Sequence, residues 1–111
     1  METERIKNIE RAIPVSLKDL VSYETGKVVS RTLAQTDGAG ITLMAFDAGE
    51  GIATHAAGGD AMVYVLEGEA HITIAGTPHV VAAGSAIVMP AGVPHAVKAE
   101  QAFKMMLTLI R

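Results

Sequence analysis

Four histidines and no cysteine bound the chemistry open to this 111-residue chain. Without a thiolate there is no sulfur nucleophile, no cysteine metal site and no disulfide, so the reactive nitrogen is imidazole. An imidazole carries protons near neutral pH or ligates a metal. His95 stands out because the chain stiffens just before it, in Met89-Pro90-Ala91-Gly92-Val93-Pro94. Pro90 and Pro94 remove backbone freedom and Gly92 permits a tight bend, so the ring is placed with little entropy left to lose. His71 alternates against Ile72 and Ile74 and reads as outward, in a surface or subunit contact. His79 follows the turn "AGTP" and reads the same way. The carboxylates Glu67 and Glu69 flank Gly68 and read as exposed turn charges.

The elements that must position these side chains are short and β-type. From Lys27 onward, strands are predicted near 28–35, 41–47, 52–56, 61–66, 70–75, 79–81, 86–89, 95–99 and 102–110. Between them lie "TDGAG", "AGEG", "AAGGD", "EGE", "AGTP", "AAGS" and "PAGVP". Glycine accepts positive φ and proline presets φ near −65°, so these are turns. Many short strands at regular spacing make an all-β sandwich or barrel. Upstream, "SLKDLV" predicts one helical turn, with Ser16 as cap and Asp19 in capping-box position. The division is an arm with that turn over 1–26 and a barrel over 27–111, one domain in all. Alternation puts Phe103, Met105, Leu107 and Leu109 on one face, the better candidate for the interior. Ala61, Val63 and Val65 share a face opposite Met62, Tyr64 and Leu66.

Composition excludes several classes of function. The formal charge is −3, and the basic residues are scattered without an aromatic platform, which argues against nucleic-acid binding. No apolar run approaches the ~20 residues of a membrane helix. The charged start "METERIKNIERAIP" lacks a secretory segment, so a cytoplasmic location is expected. Half the residues are apolar. With an arm and an edge strand to cover, that composition predicts a homodimer.

Two stretches, "GEGIATHAAGGDAMVYVLEGEA" and "GSAIVMPAGVPHAV", together resemble the paired motifs of the cupin superfamily, specifically its small single-barrel members. The second motif runs Gly, five residues, Pro, one, Gly, two, His, and Gly84, Pro90, Gly92 and His95 match each fixed position. The family asparagine that follows falls on Ala99. "YVLEGEA" matches the hairpin after the first motif. The resemblance spans roughly residues 45–110 and implies a jelly-roll barrel with its site inside the barrel mouth.

It also implies a metal, held by His-x-His and Glu from the first motif and His from the second. Such ligands suit one divalent ion such as Zn, Ni, Fe or Mn, with positions left open for substrate. Here His55 and His95 fill two of the four slots, while the second histidine falls on Ala57 and the glutamate on Ala61, or on Met62 with the longer spacing. Two imidazoles make a weak site, since catalytic sites keep three protein ligands; no metal at all is equally open. Asp60 could complete the set only if a bulge at Gly58-Gly59 reversed its strand parity.

The expected pocket is anchored by His55 and His95 and walled by Val63, Val65, Val97, Phe103 and Met105, with space opened at Ala57 and Ala61. A small-molecule ligand is therefore the first expectation, with or without a weakly held metal. The alternatives are a metal-dependent oxygenase, isomerase or decarboxylase of the cupin kind, and a non-catalytic dimeric module. No catalytic residue is assigned.

Overall fold

The computed structural model describes residues 5–111, and these build a jelly roll of nine strands. In chain order they are β1 (Val28–Gln35), β2 (Ala39–Phe46), β3 (Gly51–His55), β4 (Asp60–Glu67), β5 (Glu69–Ile74), β6 (Thr77–Ala82), β7 (Ala86–Met89), β8 (His95–Lys98) and β9 (Phe103–Ile110). One sheet runs β1-β2-β9-β4-β7 and the other β3-β8-β5-β6. All strand pairings are antiparallel. Strand bounds fall within two residues of those expected from the glycine-punctuated pattern.

The space between the sheets is filled by the alternating residues that the pattern assigned to the interior. Phe46 and Phe103 are cross-strand partners and stack at 4.6 Å, closing one end of the barrel. Val63, Val65, Ala70, Ile72, Val97 and Met105 continue this core. Burying each large aliphatic or aromatic side chain contributes roughly 1.5–3 kcal/mol.

A second, smaller cluster lies on the outer face of the five-stranded sheet. Leu43 and Ala45 of β2, with Leu66 and Met106, meet Ile9, Leu17, Leu20 and Val21 of the arm. The arm thus covers the outer face of β2 and β9 and reaches Leu66 of β4, the strand whose two faces both read as apolar. Lys104 secures it further: its Nζ donates to the Lys18 carbonyl at 2.7 Å and sits 4.9 Å above the Tyr23 ring. The expected helical turn is a 3₁₀ turn, Leu17–Leu20. Ser16 precedes it but makes no side-chain cap bond; the Ser16 carbonyl accepts from Asp19 N–H instead, at 3.1 Å. Asp19, one carbon shorter than the usual glutamate, completes no capping box with Ser16.

Candidate ligand site

His95 is aimed by a corner whose backbone groups are tied down one by one. Gly92 adopts φ 73°, a conformation that suits glycine. Its N–H donates to the Ala57 carbonyl at 2.9 Å, and Val93 N–H closes the turn on Pro90 O at 3.2 Å. Ala91 N–H donates to Asp60 Oδ1 at 2.9 Å, and the Pro94 carbonyl accepts from Ala75 N–H at 2.9 Å. The corner is therefore bound to β4 and to the segments following β3 and β5. With only 3 % of its surface exposed, His95 is the buried polar residue of the core.

His55 reaches the same place through an irregularity. Ile52 pairs with Val97 and His55 with His95, so β3 spends one more residue than β8 between the two pairs. Simple alternation would put His55 on the face opposite Ile52; the extra residue returns it to the interior side. The two rings meet edge to face, with centroids 4.5 Å apart and planes at 69°. His55 Nδ1 lies 3.0 Å from Ala53 O, and His95 Nδ1 lies 3.1 Å from Val93 O. A carbonyl oxygen can only accept, which assigns a proton to Nδ1 of both rings and leaves each Nε2 as the open nitrogen.

Beside this pair is a cavity of about 180 Å³. β3 and β8 contribute Ile52, His55, His95 and Val97 to its wall. β9 contributes Met105, Leu107 and Leu109, and Ala57, Ala61 and Met89 complete it. Apart from the two imidazoles, every lining side chain is aliphatic or a thioether. The cavity sits at the end of the barrel opposite the Phe46–Phe103 stack, where β4 begins and β9 finishes.

Of the expected pocket residues, the structure brings together His55, His95, Val97 and Met105. Val63, Val65 and Phe103 are corrected to packed core: each is fully buried away from the cavity wall, Phe103 by its stack on Phe46. Their face was legible, but not their depth along the barrel axis. Ile52 and Met89 were missed as walls. Ile52 is the inner-row partner of Val97, a relationship that only the strand register reveals.

Asp60 stands outside the pocket. The Gly58-Gly59 bulge that would have turned it inward is absent, and β4 starts at Asp60 in unbroken register with Ile110 through to Val65. Ala61 consequently faces the cavity while the Asp60 carboxylate accepts the Ala91 N–H. Gly59 serves a different purpose: it lies so close to the Ile110 carbonyl that no side chain would fit there. Among the described residues, no group of three or more His, Cys, Asp or Glu side chains could hold a metal ion. The donors present therefore do not fit a three- or four-ligand centre, since the positions that would supply the remaining donors carry the methyl groups of Ala57 and Ala61.

His71 lies on the outer row, in register with Lys98 and Val80, with its Nε2 3.5 Å from Glu69 Oε1. His79 is in β6 as the partner of Ile72, half-buried at the sheet edge.

Comparison with known proteins agrees with this architecture. The family model for the Cupin domain matches residues 42–110. The chain belongs to the cupin family. Its fold is similar to that of a conserved protein of unknown function from Streptococcus pyogenes, at 44% identity and TM-score 0.95, covering 98% of this chain and 96% of that one. A cupin superfamily protein from Desulfitobacterium hafniense matches at 30% identity and TM-score 0.92, covering 96% and 98%. A cupin 2 conserved barrel domain protein from Leptotrichia buccalis matches at 42% identity and TM-score 0.83; the match covers 85% of this cupin and 46% of that chain. Among curated proteins, none matches. Among the described residues, no helix of this cupin is long and apolar enough to cross a membrane.

Proposed function

We propose that this cupin binds a small organic ligand in the barrel end beside His55 and His95. The observation carrying this reading is the joining of an aliphatic cavity of about 180 Å³ to two imidazoles whose Nδ1 atoms are held by backbone carbonyls, with no hydrogen bond to either Nε2 among the described residues. Apolar walls with a few convergent polar groups are the usual form of a ligand site. A metal is not required by this reading. The most that two imidazoles hold alone is a weak, exchangeable divalent ion, its other positions filled by water or ligand. A second copy of the chain is the proposed protein partner, because Met62, Val88 and Ile110 leave apolar surface on the outer sheet face beyond the arm.

The test is amide chemical-shift mapping with small aromatic and aliphatic compounds on EDTA-dialysed protein. Saturable shifts are expected at His55, Ala57, Ala61, Met89 and His95, and Ala57→Leu should suppress them by filling the cavity. Shifts that map elsewhere, or none at millimolar compound, would overturn the reading.

A further inference from the structure

Resting on that ligand-binding reading, we infer the chemical class of the ligand: an uncharged hydroxyl compound of phenol size, whose O–H donates to the His55–His95 pair. The reasoning begins with the tautomers. Both Nδ1 atoms donate to backbone carbonyls, of Ala53 and Val93. A neutral pair so arranged offers the cavity two lone pairs and no N–H. A ligand carbonyl, ether or nitro group would thus find no donor. A ligand O–H finds an acceptor, and one imidazole nitrogen is satisfied at the same moment.

Charge is disfavoured by what surrounds the cavity. The ionisable side chains of the flanking strands are directed elsewhere. On β4, Asp60 accepts from Ala91 N–H and Glu67 from Tyr23 O–H. On β5 and β8, His71 and Lys98 are partners on the outer row, and Glu69 stands beside His71. On β9, Lys104 reaches the arm. Among the described residues no carboxylate, lysine or arginine lines the cavity, so a carboxylate or an ammonium would find no fixed countercharge in its wall.

Size follows from volume. A dry protein cavity of about 150 Å³ accommodates benzene. The 180 Å³ available here therefore suits a ring bearing one small substituent, or a branched alcohol of similar bulk. Burial of the hydrocarbon provides affinity, and the O–H orients it toward the rings.

The experiment is isothermal titration of the EDTA-dialysed full chain at pH 8, above the ordinary imidazole range, with phenol, anisole and benzoate. Phenol is expected to bind about fivefold more tightly than anisole, the effect of one net hydrogen bond. Benzoate should bind least. His55→Ala and His95→Ala should narrow the phenol–anisole gap while anisole still binds. His95→Phe keeps the buried site filled and serves as the control if His95→Ala fails to fold. Equal affinities for phenol and anisole, or a preference for benzoate, would overturn the ligand class and leave the binding barrel standing. Failure of all three to bind the folded wild type would remove both.

Discussion

His55 and His95 are cross-strand partners whose rings meet at 4.5 Å, each anchored through Nδ1 to the carbonyl two residues before it. The contact depends on two irregular backbones, a bulged β3 and a corner stiffened by two prolines. What the pair lacks is equally specific. The two other metal positions of the family motif are alanines, and both line the cavity. Restoring the donors in Ala57→His/Ala61→Glu should create a site that retains close to one divalent ion per chain after dialysis. The wild type should retain far less, and no more than a His55→Ala/His95→Ala variant. Elemental analysis of untagged protein decides it. Equal retention by the wild type and the Ala57→His/Ala61→Glu variant would show that these two positions do not complete a site around the rings.

The Asp60–Ala91 hydrogen bond makes a separate prediction. Asp60 braces the corner that carries His95, and its carboxylate does so from outside the cavity. Asp60→Ala should cost about 1 kcal/mol, the low end for a charged acceptor because the site is exposed. Amide exchange at Ala91 should accelerate, whereas metal content should be unchanged. Loss of metal in Asp60→Ala without loss of fold would make the carboxylate a ligand after all.

These two cases show where the chain's own pattern sufficed and where it did not. Strand number, turn positions and the inner row of β9 follow from period-two alternation and glycine placement, which are local properties. The corner before His95 was legible for the same reason, since prolines and glycine act on their own backbone. The route by which His55 turns inward was not. A bulge between Ile52 and His55 depends on the register against β8, about forty residues away, and "GIATH" contains nothing that marks it. The glycine pair that does look like a bulge is used for close packing on Ile110. Wall and core residues were confused for a related reason: alternation assigns a face, and depth along the barrel comes only from pairing.

Tyr23 ties the arm to the barrel and gives that attachment a pH dependence. Its O–H donates to Glu67 Oε2 at 2.6 Å. Partial burial, followed by this bond and the glutamate charge, pushes the phenol well above its ordinary value of 10.0. The folded state therefore holds the proton more tightly than the unfolded chain does. Stability from this group is fully present below about pH 10 and declines as pH rises beyond it. Denaturant unfolding of wild type and Tyr23→Phe from pH 8 to 11 should show a wild-type advantage of about 1 kcal/mol that shrinks above pH 10. An advantage constant across this range would mean that the hydroxyl is not the coupled group.

Phe103 separates core from cavity. Because it stacks on Phe46 away from the pocket wall, Phe103→Ala should destabilise by about 3–5 kcal/mol. The affinity of the folded fraction for a small probe should change less than twofold. Met89→Ala, at the wall, should also destabilise by about 2–5 kcal/mol because Met89 is buried, but unlike Phe103→Ala it should change probe affinity more than twofold. If Phe103→Ala impaired binding as severely as it impaired stability, the floor of the cavity would extend further than Met105.

Dimerisation can be tested on the outer face. Met62 and Val88 are cross-strand neighbours on β4 and β7, 39% and 51% exposed, and Ile110 nearby is 55% exposed. The arm covers the same sheet farther along, over Leu43, Ala45 and Met106, but not this strip. β7 is also a four-residue edge strand with one unpaired side. Exposed apolar side chains beside an open edge are stabilised by a second copy, since burial of each contributes roughly 1.5–3 kcal/mol. Sedimentation of the wild type should give a dimer mass at micromolar concentration, and Met62→Lys/Val88→Lys should give a folded monomer. Both substitutions point outward, so circular dichroism should be unchanged. A wild type that sediments as a monomer at tens of micromolar would show that this face meets water.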